Sequence, residues 1–547
     1  MSGANSEMRG WGLWEVALIT GLALGFRLLH LEELRHLDSY FHIMAAASWV
    51  SEGTLSLGGE RPYDRAYLFT YLVAAFQSLF GGTTFVAGLP SVLAGAAWVT
   101  ALFLWVRSVA GRVAAWVAGL LFCFDVGSLA LAHMVRFYTL HGLVFFLGAI
   151  GLYYLITRRP PIRVAAVTGL AVLAAFSLAF HLQYTTVIGG IALGVWLIIE
   201  IFPNIFHYLR DHRAIGFALV APGLIIGSVA GFLFLQSDMA AEHWHRFRSV
   251  PAWAEENRYK FWFYISPLER TFPLLWALFP LAAVIAVARY GRPAIFSIVL
   301  FAVPLILHSL AAFKATRYLS YAMPFYFAIG GFAVAAVLPE LKAVARKAVL
   351  NMGGIHLPDR IVSSVTVSLL TLLFVAVALT SRPNWWSAYT FIAHNERPFS
   401  VGSGHWDKAT TWLEPVIDSV DVIATSGGLP TAYYYLKRVH VMAGVVPPGE
   451  EEFVAVSERM GIPLISEPQS VETLVRCHSS GLVLLDVLTF RGAWTFNEAM
   501  VEVLQARAQP LALPEEWGIR AYTWSHGEDV GKEADCPVLE ARRAPRL

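Results

Sequence analysis

Eleven stretches of about twenty apolar residues fill the first 380 positions of this 547-residue chain, and that succession constrains the fold more than any motif. A segment crossing hydrocarbon must pair its backbone amides and carbonyls internally, so runs of this length form helices that span a bilayer. The windows are Trp11–His30, Phe85–Val106, Val113–Leu131, Thr139–Ile156, Val164–Phe180 and Thr185–Ile201, then Ala214–Leu235, Phe272–Ala288, Ala294–Phe313, Tyr318–Leu338 and Ile361–Thr380. No small-residue cleavage site follows the first, which therefore reads as a retained span and not a signal peptide. Leu68–Phe80 is apolar but too short to cross, and is expected to lie in the interface or re-enter. The expectation is a polytopic α-helical membrane protein.

After residue 380 the character changes. Residues 1–380 carry 26 Lys and Arg against 18 Asp and Glu, whereas residues 381–547 carry 14 against 21. The first part is sparse in charge and positive; the second is charge-dense and negative. No basic tract accompanies this balance, so a nucleic-acid partner is not expected. Short apolar runs alternate with helical segments in the tail. Asp421–Thr425, Val439–Met442, Pro463–Ile465 and Leu482–Val487 read as strands, and Glu450–Met460, Val471–Cys477 and Thr495–Gln505 as helices. That alternation predicts a small soluble α/β domain, 381–547, with a mainly parallel sheet. It has no glycine-rich nucleotide motif.

An odd number of spans puts the termini on opposite sides. One set of alternate loops holds Arg107, Arg112, Arg158, Arg159, Arg163, Arg210, Arg213, Arg289, Arg292, Lys342, Arg346, Lys347 and Arg360, with few acids beside them. The positive-inside tendency places that set and the N-terminus in the cytoplasm, and the tail outside the cell membrane. Cys477 and Cys536 would then share an oxidising compartment, where they either pair or remain thiols. Cys123 falls inside a span and reads as packing. The first outer loop, about Leu31 to Thr84, and the loop Gln236–Arg270, with Trp244, Trp253 and Trp262, are longer than connectors need to be.

Four outer clusters carry candidate chemistry. In RHLDSYFH, Asp38 lies where the chain leaves the bilayer, beside Tyr40, Phe41 and His42. A carboxylate against aromatics is a candidate general base; Asp-Ser ahead of an apolar run is equally a helix cap. In ERPYDRAY, Arg61 and Arg65 flank Asp64, as an anion site or a salt-bridged loop. AHMVRFYTLHG sets Arg136 near the boundary with His133, Tyr138 and His141, where a charge needs a partner or must snorkel. FKATRYLSYAMP places Lys314 and Arg317 three residues apart, a spacing suited to clamping phosphate. Asp125, inside a span, also needs a partner, with Arg136 or a histidine as candidates. A carboxylate and several cations on one membrane face fit sugar transfer from a lipid-linked phosphate donor. The cations hold the departing phosphate, and the carboxylate takes a proton from the acceptor hydroxyl.

The ordered motifs resemble the GT-C superfamily of integral membrane glycosyltransferases, particularly bacterial members related to protein O-mannosyltransferases and the lipid A aminoarabinose transferase. The resemblance rests on LDSYFH after the first span, on FTYLVAAFQSLFGG followed by AGLPSVLAG, on HMVRFYTLHG, on KATRYLSYAMP, and on DVIAT with AYYYLKR in the tail. It implies an inverting transferase using a polyprenyl-phosphate sugar, with an extracytoplasmic lipid, glycan or protein as acceptor. By position it implies Asp38 as base, and Arg136, Lys314 and Arg317 at the donor, with Tyr138, Tyr318, His42, Arg61 and Arg65 around them. Many relatives have Asp-Glu where this chain has Asp38-Ser39. The second acid is thereby in doubt, with Asp64 a substitute candidate, and metal use stays open, with no cofactor assigned. The competing readings are an oligosaccharyltransferase-like enzyme, for which the tail lacks a W-W-D-Y-G-type motif, and a lipid or solute transporter, for which no internal repeat is evident.

Overall fold

The computed structural model describes residues 12–32, 36–59, 62–211, 252–351, 359–381, 384–385, 404–426, 430–457, 459–487, 496–526 and 536–545. The expected span Ala214–Leu235, with Trp244 and Arg61, lies outside the described residues. Each of the other ten apolar windows coincides with helix: α1 (Leu13–Leu28), α4 (Thr84–Ala110), α5 and α6 (Arg112–Cys123, Val126–Ala132), α7 (Tyr138–Arg158), α8 (Ile162–Leu182), α9 (Thr186–Asp211) and further helices from Pro273 to Leu379. Among the described residues five helices are long and apolar enough to cross a membrane, or six with the bent α5–α6 pair. The expected short helix is α3 (Tyr67–Phe80), preceded by α2 (Ser39–Glu52).

The chain divides into two compact units. The first comprises Met1–Leu28, Leu93–Leu131 and Tyr138–Glu396, and is helical. Its core is built from rings. Trp105 meets Phe146, Phe296, Phe325 and Phe332 edge-on, with centroids 5.8–6.3 Å apart. Small residues let helices approach where no side chain fits. A Cβ on Gly142 would sit 2.0 Å from the Trp98 ring, and one on Gly331 would sit 2.5 Å from the Ala114 carbonyl. Close packing of this kind is what holds helices together in lipid, where hydrophobicity alone gives no preference for protein neighbours.

Asp125 explains the bend between α5 and α6, which is 58°. Its carboxylate accepts the N–H of Ser128 at 2.8 Å and of Gly127 at 3.4 Å, so it starts α6 afresh. The fully buried Arg27 donates to Ser128 Oγ at 2.7 Å and to the freed Cys123 carbonyl at 3.4 Å. Asp125 is thus partnered by the α6 N-terminus and by Arg27 nearby, in place of the Arg136 or histidine proposed from sequence. A charge in a span is tolerated because a broken helix end neutralises it.

The second unit comprises Leu29–Val92, Ala132–Phe137 and Arg397–Leu547. Its sheet has the order β4-β3-β1-β5-β7-β6, from β1 (Val422–Thr425), β3 (Val441–Ala443), β4 (Leu464–Ile465), β5 (Ser480–Asp486), β6 (Gln509–Leu511) and β7 (Ile519–Ser525). Strands β4, β3, β1 and β5 run parallel, as expected, but β7 and β6 add antiparallel pairs at one side. The short strand β2 (Arg438–Val439) pairs separately with β8 (Arg542–Arg543). The helix expected over Glu450–Met460 does not form. Phe453 takes a left-handed φ of 66°, and the segment instead hydrogen-bonds Phe453 and Ala455 to Leu464, and Ser457 to Ile462. Cys477 and Cys536 form a disulfide.

Candidate active site

Asp38 directly precedes α2, and its geometry bears on the capping reading. Asp38 itself has helical φ and ψ, and its carboxylate makes no capping bond to α2. The helix start is held instead by residues 132–137. Ser39 Oγ accepts the Val135 N–H at 3.1 Å, Arg136 Nη1 donates to the Asp38 carbonyl at 3.5 Å, and Ser91 Oγ donates to the Arg136 carbonyl at 3.1 Å. The small, buried Ser39 is what lets that segment close over the turn. Asp38 is left partly exposed, at 19% of its side chain, with Oδ2 4.0 Å from Nη2 of the buried Arg136. The carboxylate therefore has a buried cation at its side and a part of its surface toward solvent.

The aromatic floor of this site is also in the second unit. Phe41 and Tyr63 stack with centroids 6.2 Å apart, and the guanidinium groups of Arg136 and Arg65 lie 5.3 and 5.9 Å from the Phe137 ring centroid. His42 is fully buried here. Its Nδ1 meets Thr70 Oγ1 at 2.9 Å and its Nε2 meets Tyr63 OH at 3.3 Å. Burial, with Arg136 and Arg65 close by, holds its pKa well below the usual imidazole value, so the ring is neutral. Both ring nitrogens are engaged, one with Thr70 and one with Tyr63. Asp64 and Arg65 are exposed just ahead of α3.

Two tail elements belong to the same site and were not anticipated. Tyr40 O–H donates to Tyr435 OH at 3.0 Å and packs against Tyr434, both on the helix Pro430–Leu436. Arg459 places its guanidinium 5.3 Å from the Phe41 centroid. The AYYYLKR motif drew attention to the tyrosines, but nothing local to Arg459 marks it.

In the first unit, the late basic motif is a turn, Thr316–Ala322, leading into the helix Met323–Asn351. Arg317 is half-buried, with its guanidinium 5.7 Å from the ring centroids of both Tyr138 and Tyr318. At that distance both rings contribute cation–π attraction to the guanidinium. Lys314 behaves differently. Its Nζ donates to the carbonyls of Ala311 at 2.5 Å and Arg258 at 2.6 Å, and its side chain is buried. The pair expected to act as one clamp is thus one arginine framed by tyrosines and one lysine that ties two loops. Among the described residues no group of three or more His, Cys, Asp or Glu is positioned to hold a metal ion.

No family model matches the chain, and no curated protein sequence matches it. Solved structures do. ArnT from Cupriavidus metallidurans bound to undecaprenyl phosphate superposes with a TM-score of 0.57 at 14% identity, covering 94% of this chain and 98% of that one. The apo state of the same protein gives 0.58 with the same coverage. The oligosaccharyltransferase of Archaeoglobus fulgidus gives 0.55 at 12% identity, over 78% of this chain and 63% of its own. The chain has the GT-C fold. It is a membrane protein of that architecture with a sheet-containing C-terminal region, as the ordered motifs implied. At such low identity the likeness extends to the fold, and what the individual side chains do has to come from their own geometry.

Proposed function

We propose that this GT-C protein is an inverting glycosyltransferase that moves a sugar from a polyprenyl-phosphate donor to an extracytoplasmic lipid, glycan or protein acceptor. The observation that carries the reading is Asp38: a partly exposed carboxylate at a helix start, not used as a cap and held beside the buried Arg136. Asp38 accepts the proton of the acceptor hydroxyl as that oxygen attacks the anomeric carbon. The bond from that carbon to the phosphate oxygen breaks, and the electron pair leaves on the polyprenyl phosphate. Arg317, with Tyr138 and Tyr318 framing it, stabilises the charge on the departing phosphate, and Arg136 and Arg65 supply further positive charge. Asp64 is the candidate for a second acid, and Lys314 acts by fixing the loop that carries Arg317.

Support for a polyprenyl-phosphate donor comes from the shared fold with a protein solved with undecaprenyl phosphate bound. The disulfide Cys477–Cys536 supports an extracytoplasmic tail, because such bonds persist in oxidising compartments. In this reading 1–380 is the membrane-embedded transferase domain of a multi-pass cell-membrane protein and 381–547 its outer domain. The test is native mass spectrometry of the detergent-purified protein with a panel of polyprenyl-phosphate sugars, wild type beside Arg317→Ala. Saturable binding of one donor, weakened at least tenfold by the substitution, is expected. No binding of any polyprenyl phosphate to the wild type would sink the reading.

A further inference from the structure

A cavity of about 610 Å³ lies within the first unit, away from every residue assigned to transfer above. Its walls come from the last turn of α7 and the residue beyond it, from α9, and from the start of the helix Arg292–Leu310. Tyr138, which frames Arg317, opens α7, whereas Leu155 in the cavity wall lies roughly 25 Å further along at the helical rise. The cavity and the Arg317 turn are therefore at opposite ends of one span. The cavity end is where Arg158, Arg159, Arg289 and Arg292 cluster in sequence, and the positive-inside tendency assigns it to the cytoplasmic leaflet.

Leu155 and Ile201 give the cavity apolar walls, while Arg159, Arg292 and Glu200 give it charged ones. Arg292 Nε lies 2.9 Å from Glu200 Oε1, a contact that uses one nitrogen of that guanidinium and one oxygen of that carboxylate. Glu200 is mostly buried, with 12% of its side chain exposed, and both arginines reach the surface. Arg159 stands just past α7 with a left-handed φ of 48°. That region suits glycine, and a residue with a Cβ is strained there. An arginine kept where glycine would be relaxed points to a use for its side chain. Beside the cavity, Ile198 and Phe202 are exposed and, four residues apart, share one face of α9. In a membrane helix such a face meets acyl chains.

We propose that this cavity binds the ethanolamine phosphate headgroup of a membrane phospholipid. Its phosphate lies against Arg159 and the free nitrogens of Arg292, its ammonium against Glu200, and its acyl chains along Ile198 and Phe202. Two guanidinium groups and one carboxylate match a phosphate and an ammonium with no charge facing its like. A purely anionic headgroup would set a second negative charge beside Glu200, and a trimethylammonium group would offer that carboxylate no N–H. The volume is within the roughly 300–1,000 Å³ usual for small-ligand sites. Soluble phosphoethanolamine carries the same chemistry, and the apolar face of α9 favours the lipid as its source. This site uses none of Asp38, Arg136, Arg65 or Arg317, so it stands or falls apart from the transferase reading.

The full-length protein in detergent is titrated by native mass spectrometry with dioleoyl phosphatidylethanolamine, phosphatidylcholine and phosphatidylglycerol. Wild type is expected to prefer the ethanolamine lipid about tenfold over each of the others, the scale of one charge-assisted contact. Arg159→Gly removes the side chain and suits the positive φ, so it keeps the thermal midpoint while weakening the ethanolamine lipid about tenfold. Glu200→Gln keeps the shape and is expected to level the ethanolamine lipid with the glycerol lipid. Should Glu200→Gln lower the yield of folded protein, Arg159→Gly still decides. Equal binding of the three lipids by wild type, or a preference that survives Arg159→Gly, overturns the site. Displacement of bound lipid by equimolar soluble phosphoethanolamine overturns the lipid as its source, and lipid that resists displacement supports it.

Discussion

Two carboxylates in this chain sit among arginines, and they are finished very differently. Glu15 on α1 is 2% exposed and is gripped by Arg107 and Arg112, while Trp116 donates its indole N–H to Oε1 at 3.2 Å. Both of its oxygens are occupied. Asp38 is about ten times more exposed, Arg136 Nη2 lies 4.0 Å from its Oδ2, and the guanidinium groups of Arg136 and Arg65 lie near the Phe137 ring. The first arrangement is closed and neutralised, as in a tie between helices. The second leaves its carboxylate partly exposed. Counting charged residues does not separate them, because each has one acid and at least two arginines; what separates them is how far the acid is buried.

That contrast is open to direct challenge. Asp38→Asn is expected to lower transfer by about 10²–10⁴-fold, the usual worth of a general base, while the thermal midpoint stays put because the carboxylate caps nothing. Full transfer by this variant would end the claim that Asp38 is the base. Cys536→Ser opens a loop closed across 59 residues. On the chain-entropy account this weakens the tail by up to about 4 kcal/mol, read as faster hydrogen exchange in β5 and β7 with the Glu15 helices unaffected. Equal loosening of both regions would mean that the tail does not unfold separately.

Glu15→Gln is next, and it acts in the opposite sense to Asp38→Asn. It leaves Arg107 and Arg112 without their partner and is expected to cost about 3 kcal/mol, the lower end for a broken buried pair because both arginines reach water. Its signature is a lower melting temperature with unchanged substrate affinity in the protein that remains folded. The last test is a pH dependence in the tail. His440 Nδ1 accepts the Ile423 N–H at 3.0 Å, and burial, with Arg438 and His478 nearby and Asp421 opposing, lowers its pKa to about 4. The unfolded chain binds this proton near pH 6.5, so the contribution is complete above that value and is lost as pH falls toward 4. The slope is at most about 1.4 kcal/mol per pH unit. A flat tail stability over that window, by hydrogen exchange, would remove His440 as its source.

What could be read from the chain beforehand follows a physical line. Apolar helices were legible because hydrocarbon demands long apolar runs, and the windows fall on helices wherever residues are described, though five or six of these are long and apolar enough to cross. Asp38 was legible as a candidate because a carboxylate at the end of a span needs a reason. Whether it capped α2 was not, since that depends on Ser39 engaging Val135, nearly a hundred residues away. His42 and Lys314 looked like ligands in sequence, but Thr70 and Tyr63 occupy the one and two carbonyls occupy the other. The helix expected over Glu450–Met460 lost to tertiary pairing with Leu464, a reminder that a charged run next to apolar residues has no fixed period. Strand β6 passed unnoticed because Gln509–Leu511 is short and contains Pro510, which suits only an edge. Arg459 had no local sign at all; it is informative only once Gly59 of the first outer loop donates its N–H to the Arg459 carbonyl.

The bond between Tyr40 and Tyr435 joins residues 395 positions apart. At about 5–20 residues per second of synthesis, the helix that begins at Asp38 is made roughly 20–80 seconds before its tail partners exist. Through that interval the loop has neither Tyr435 to receive the Tyr40 hydroxyl nor Arg459 to close over Phe41. The Asp38 cluster is therefore completed only late in translation, and a chain interrupted before Tyr435 would carry its first helices with neither tail partner made.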